Sequence, residues 1–260
     1  MVCRNRKFPS KETFCCVFDT AGIVSSQRNY FGTKMALTLY IHPLASFCHK
    51  VLIAFYENEV PFTAETVDLM DPGEAADHLA RWPVGKIPVL YDSDRDRIVA
   101  ETSVIIEYVG DHYSGPVPLL PDNPEARLET RLWDRFFDFY VSQPMQKIVT
   151  DRIRPQGEND AYGVGEARRA LDTAYAMIER RMADRTWACG DAFTIADCAA
   201  LPGLFFAGIV QPFPPSSENL AAYFERLLAR PSVRRTLAEA RPFFSMFPYR
   251  DAMLERFLRD

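Results

Sequence analysis

The segment His42-Pro-Leu-Ala-Ser-Phe-Cys-His49 carries an imidazole at each end, a hydroxyl at Ser46 and a thiol at Cys48. A serine hydroxyl here can donate to a bound anion, or it can cap the helix that follows. A cysteine here can exchange with a disulfide, or it can pack as a small buried residue. His42 and His49 have no partner legible in the sequence and read as solvated or packed. Further on, Glu101-Thr102 stands at a helix start. Such a start exposes unpaired N–H groups and the positive end of the helix dipole, a seat for a carboxylate. The plain alternative is an acidic first turn with a threonine cap. Lys86 precedes Ile87-Pro88; it faces either an anionic group or solvent, and Pro88 reads equally as a proline at a strand start. Thr194-Ile-Ala-Asp197 has the spacing of a capping box, so Asp197 reads as a buried structural cap. The four His and six Cys show no metal-ligand spacing, so no metal is expected.

The elements that must position these residues change character midway. Leu37–Ile41 alternates as a strand, and Phe47–Glu57 repeats its apolar residues at helical spacing. Phe62–Val67 alternates again, Asp71-Pro-Gly-Glu opens a short helix, and Ile87–Tyr91 and Ile98–Val99 read as strands. A helix over Glu101–Tyr113 closes a β-α-β-α-β-β-α unit. Ser114–Pro124 holds four prolines and a glycine and reads as a linker. Beyond it strand signals vanish, and helices are predicted over Glu125–Arg152, Gly165–Asp184, Ile195–Val210, Asn219–Ala229 and Ser232–Ala240. Trp133, Phe136, Phe137 and Tyr140 supply aromatic surface that could line an apolar cleft, although aromatics at helical spacing more often form core. The tail Arg241–Asp260 is rich in Phe, Pro and Arg and reads as cover for a cleft or a domain seam.

Composition narrows the class. The 260 residues suit one or two domains. With 48% hydrophobic and 25% charged residues the chain is neither disordered nor coiled-coil. Its net charge of −5 disfavours a nucleic-acid partner, which needs a basic face. The uncharged stretch Cys198–Ser217 is broken by prolines and too short in its apolar part to span a membrane. Six scattered cysteines without a C-x-x-C pair suit a reducing cytoplasm. Residues 1–34 have a basic start and an apolar run too short for a secretory signal; they read as a poorly ordered extension ahead of Met35.

The α/β unit, the proline-rich linker and the helical half occur together with Ile87-Pro-Val-Leu, Glu101-Thr and Trp187-Ala-Cys-Gly-Asp-Ala-Phe-Thr-Ile-Ala-Asp197. In this order the motifs resemble the cytosolic glutathione transferases over about residues 36–240. The resemblance implies an α/β plus all-α architecture. A thioredoxin-like domain would occupy 35–114, a linker 115–124 and a helical domain 125–260, with two copies paired as a homodimer. It implies glutathione as co-substrate and conjugation to a small apolar electrophile. Ile87–Pro88 would be cis, with the Ile87 backbone free along the strand edge to pair with the cysteinyl backbone of glutathione. Thr102 would hold the γ-glutamyl carboxylate, Glu101 the amino group, and Lys86 would reach the glycyl carboxylate. Phe136 and Tyr140 are candidates for the electrophile cleft.

One position departs from the family pattern. Serine- and cysteine-type relatives carry their active residue six places before Val51, where this chain has Ala45. The same register lays the glutaredoxin Cys-Pro-Tyr-Cys on Ala45-Ser46-Phe47-Cys48, so only the second cysteine is matched. Three readings stay open: Ser46 supplies the hydroxyl that stabilises the thiolate, backbone N–H groups do so alone, or the fold binds without turnover. A thiol-disulfide oxidoreductase using Cys48 is the further alternative.

Overall fold

The computed structural model describes residues 35–113 and 115–259. The extension expected over residues 1–34 lies outside the described residues.

The first half is built on four short strands: β1 (Leu37–Ile41), β2 (Thr63–Thr66), β3 (Val89–Asp92) and β4 (Arg97–Ala100). They order as β2-β1-β3-β4, with β1 and β2 parallel and the other pairs antiparallel. Leu37, Leu39 and Ile41 alternate with Thr38 and Tyr40, so one face of β1 is fully buried. Helices α1 (Ser46–Glu57), α2 (Pro72–Arg81) and α3 (Thr102–His112) complete the unit. Asp71 caps α2 by accepting from the N–H groups of Gly73 and Glu74, with Pro72 at the first helical position. Asp92 ties the β3–β4 hairpin to α3: its carboxylate accepts from the Tyr108 and Tyr113 hydroxyls at 2.6 and 2.7 Å.

The second half is helical: α4 (Pro124–Phe136), α5 (Gln143–Arg152), α6 (Ala161–Arg181), α7 (Ile195–Val210), α8 (Glu218–Ala229), α9 (Pro231–Ala240) and the short α10 (Glu255–Leu258). Helix α7 is apolar on every side and buried almost throughout, so it forms the axis of this half. The spacing over 125–152 predicts one helix; instead a π-helical turn, Phe137–Ser142, separates α4 from α5. That turn packs against α7 where Gly203 stands, and a Cβ there would meet the Ser142 Oγ at 3.0 Å. The tail winds through 3-10 turns at Arg241–Met246 and Arg250–Ala252 before α10. β1 keeps the bounds read from its alternation, β2 is one residue shorter at each end, β4 is one residue longer at each end, and β3 starts later, with Ile87 and Pro88 ahead of the ladder.

One continuous apolar core runs through both halves. At the seam α1 packs on α3, α7 and α9. Glu57, at the end of α1, accepts from Arg230 and Ser232 at the start of α9, and the Arg230 guanidinium lies over the rings of Trp187 and Phe193.

Candidate functional site

Strand register gathers three segments at one end of the sheet. Tyr40, near the exit of β1, pairs with Val89, the first residue of β3, and Val89 pairs with Ala100, the last residue of β4. The turn His42–Ala45, the Ile87–Pro88 pair and the Glu101–Thr102 step therefore leave the sheet side by side.

The first segment is the turn into α1. The Ala45 N–H donates to the His42 carbonyl at 2.9 Å, and the Leu44 N–H donates to the His42 Nδ1 at 3.2 Å. Ala45 is the N-cap residue, with extended φ and ψ and no side-chain cap. Ser46 is thus the first helical residue; the capping role open to it in the sequence is not taken. With alanine at the cap, no side chain covers the N–H groups of the first turn. The nearly buried Ser46 hydroxyl lies 3.5 Å from the Gln146 Nε2 on α5, so the helical half reaches this turn. Cys48, two residues further along α1, is fully buried, and burial pushes its thiol up to about 12. That is a structural cysteine held protonated, which speaks against the redox role considered for it.

The second segment carries the cis bond at Ile87–Pro88. The expectation of a free strand edge needs correction: β3 is an interior strand, and Ile87 is free of the ladder because pairing begins only at Val89. Lys86 is exposed beside it. The third segment turns sharply at Glu101, whose φ of 70° lies in the region that favours glycine. A glutamate held there costs roughly 1–3 kcal/mol, a strain that clusters at ligand sites. The turn leaves the Glu101 side chain exposed, buries Thr102 at the start of α3, and provides no side-chain cap there.

Behind these segments lies a charge cluster that sequence reasoning missed. Lys50 on α1 is fully buried, with its Nζ 2.6 Å from Asp134 and 2.8 Å from Asp138. It also donates to the Ser103 Oγ at 3.0 Å, and Ser103 donates to Asp134 at 2.6 Å. Arg135 closes the cluster on Asp138 and Ser103. Burial pushes the Asp138 carboxyl up, and the Lys50 ammonium counters only part of it. Ser103 follows Thr102, so the cluster anchors the start of α3 to the helical half.

The aromatic residues divide. Phe136 is core, packed at 4.6 Å on Trp133 and at right angles to the buried Phe137, so it lines no cleft. Phe205 and Phe206 are also buried. Tyr140 is 58% exposed and remains free to meet a ligand. The tail brings Phe243 edge-on to His42 at 5.2 Å, and Arg152 at the end of α5 stacks over Tyr249 at 4.3 Å. The tail's richness in Phe, Pro and Arg was its signal in the sequence. Thr194 and Asp197 form the expected capping box, and Asp197 also accepts from the Ala188 N–H and the Tyr223 hydroxyl. Among the described residues there is no cluster of three metal-ligating side chains, and no helix is long and apolar enough to cross a membrane.

Known proteins resemble this chain in sequence and in fold. The family profile described as "Glutathione S-transferase, N-terminal domain" matches residues 45–112, and "Glutathione S-transferase, C-terminal domain" matches 136–231. Glutathione S-transferase GstB of Escherichia coli (strain K12) is 28% identical over 206 residues, 77% of this chain and 97% of its own. A stringent starvation protein A homolog of Coxiella burnetii is 29% identical, over 80% of this chain and 94% of its own. A glutathione S-transferase of Methylobacterium radiotolerans, solved in complex with glutathione sulfonate, superposes with a TM-score of 0.67 at 28% identity, covering 77% of this chain and 93% of that one.

Proposed function

Because the chain belongs to the glutathione S-transferase superfamily, we propose that it binds glutathione at the sheet end just described and conjugates it to a small apolar electrophile. The observation that carries this reading is the convergence of an uncapped helix start, the cis Ile87–Pro88 step and the left-handed Glu101 at one end of one sheet. Together they supply the contacts to an extended tripeptide. The Ile87 backbone pairs with the cysteinyl unit as an added strand. Thr102 and its N–H, at the start of α3, take the γ-glutamyl carboxylate, and Glu101 takes the adjoining amino group. Lys86 reaches the glycyl carboxylate.

The thiol then lies toward the start of α1. A free thiol near pKa 8.5 is only a few per cent ionised at neutral pH. Lowering that pKa by about two units requires roughly 2.7 kcal/mol of preference for the anion. The uncapped N–H groups of the first turn and the Ser46 hydroxyl are the donors at hand. The thiolate attacks the electrophilic carbon, a C–S bond forms, and the leaving group departs with its electron pair; the thiol proton has already passed to solvent. The exposed Tyr140 and Phe243, edge-on to His42, are the aromatic side chains offered to the electrophile in this reading. Two copies pair as a homodimer in this reading.

A second reading keeps the binding and drops the turnover. It is favoured by Ala45, which puts no reactive group at the usual position, and by the similarity to a protein named for stringent starvation and not for a transfer reaction. Calorimetric titration with glutathione, run beside conjugation of a chloronitrobenzene, separates the two. Binding with turnover is expected. Binding without turnover would favour the second reading, and no binding at any accessible pH would end both.

A further inference from the structure

We propose that His49 and His78 are positioning residues, each clamping one loop of the candidate site by donating its Nε2–H to a backbone carbonyl. His49 lies in the first turns of α1 and is fully buried, and its Nε2 is 2.6 Å from the Pro43 carbonyl. His78 is also fully buried, the one residue of α2 that is, and its Nε2 is 3.0 Å from the Lys86 carbonyl. Pro43 stands two places before the N-cap of α1, and Lys86 directly before the cis Ile87–Pro88 pair. The same bond is therefore made twice, once to each of two loops that leave the sheet side by side.

The chemistry of the rings supports a donor role over simple packing. A carbonyl only accepts, so both imidazoles carry a hydrogen on Nε2. Both Nδ1 atoms are buried without a hydrogen-bond partner. An orphaned buried nitrogen is a cost that an apolar side chain of similar size would avoid. What the imidazole adds at each place is the Nε2 bond to a loop carbonyl that the sheet ladder does not reach. Burial also pushes His49 down to about 4, so its ring stays neutral at ordinary pH, and the Pro43 carbonyl selects the tautomer with the hydrogen on Nε2.

The two clamps serve different ends, and this part rests on the glutathione reading above. His49 fixes the turn that aims the α1 N–H groups and Ser46 at the sulfur. His78 fixes the loop that presents the Ile87 backbone. The test compares His49→Leu and His78→Leu with His49→Gln and His78→Gln in the full chain, since a glutamine amide reaches the place of Nε2 and a leucine has no donor. Where a leucine variant does not fold, the shorter asparagine replaces it. The first readout is hydrogen exchange in ligand-free protein. Each leucine variant should speed exchange in its own loop, residues 42–46 or 84–87, by about tenfold while the other loop is unchanged, and glutamine should restore it.

The second readout is glutathione itself. His78→Leu should weaken binding about tenfold with kcat little changed, whereas His49→Leu should lower kcat about tenfold with less effect on KM. Unchanged loop exchange in folded leucine variants, or glutamine behaving as leucine, would overturn the clamps. If the wild-type protein binds no glutathione, the functional reading falls, and loop exchange alone decides the clamps.

Discussion

At the scale of the residue, the site asks single side chains to do opposed things. Glu101 sits at φ 70°, where glycine is at ease and glutamate is strained. Glu101→Gly should therefore hold or raise thermal stability, by about 1 kcal/mol at most, while weakening glutathione binding through loss of the carboxylate. A melting curve and a titration on the same sample check both signs; a variant that loses stability as well would show that Glu101 is not strained. Ser46→Ala should lower conjugation about tenfold or more and leave glutathione affinity nearly intact, because the hydroxyl acts on the sulfur and not on the peptide arms. Steady-state kinetics at saturating glutathione decide it, and unchanged turnover would assign the thiolate to backbone N–H groups. His49 adds a pH dependence. Its folded pKa, about 4, lies below the unfolded value near 6.5, so the unfolded chain binds the proton first. Its contribution is complete above the unfolded value and is lost as pH falls from about 6.5 through 4. Chemical denaturation across that window should show an acid loss that His49→Gln lacks.

At the scale of the element, local sequence was most legible where caps and periodicity agree. Ile195–Val210 matches its sequence reading at both ends because Thr194 and Asp197 fix the start and the apolar run fixes the length. Asp71 likewise announced α2. Where one element's course depends on another, the sequence was mute. The periodicity over 125–152 continues through Phe137–Ser142, and nothing local marks the π turn that lets this segment meet α7 at Gly203. The start of α1 shows a related limit: by type Ser46 could cap a helix read from Phe47, yet the chain turns one residue earlier, at Ala45. The capping box gives the element-scale prediction. Asp197 accepts from the Thr194 and Ala188 N–H groups and from the Tyr223 hydroxyl, so it joins the start of α7 to the preceding loop and to α8. Asp197→Ala strands these donors in the core and should cost about 3 kcal/mol or more. Denaturant titration should show it as a lower midpoint, and a loss under about 1 kcal/mol would mean that the cap is replaceable.

At the scale of the whole molecule, what joins the two halves was invisible in sequence because its partners are far apart in the chain. Lys50 reads as an ordinary charge on a helix, yet it is buried against Asp134 and Asp138, more than eighty residues away. Through Ser103 the same cluster holds the start of α3, where Thr102 is proposed to meet the ligand. The seam and the candidate site therefore meet at adjacent residues, Ser103 and Thr102, and loosening one should loosen the other. A buried ion pair is not strongly stabilising compared with apolar packing, but removing one partner leaves an uncompensated charge. Lys50→Met should accordingly destabilise the protein by about 3–5 kcal/mol and weaken glutathione binding along with it. The pH dependence of that loss separates charge from shape. Burial already pushes the Asp138 carboxyl up with Lys50 present, and without the ammonium it rises further. A carboxyl whose folded pKa exceeds its unfolded one favours the folded state at low pH and loses that advantage as pH rises. The gap between Lys50→Met and wild type should therefore be widest near neutrality and should narrow toward pH values of about 4–5. Asp138→Asn added to Lys50→Met should narrow it at neutral pH in the same way. A gap that stays constant across that range would mean that Lys50 holds the halves together by packing its stem and not by its charge.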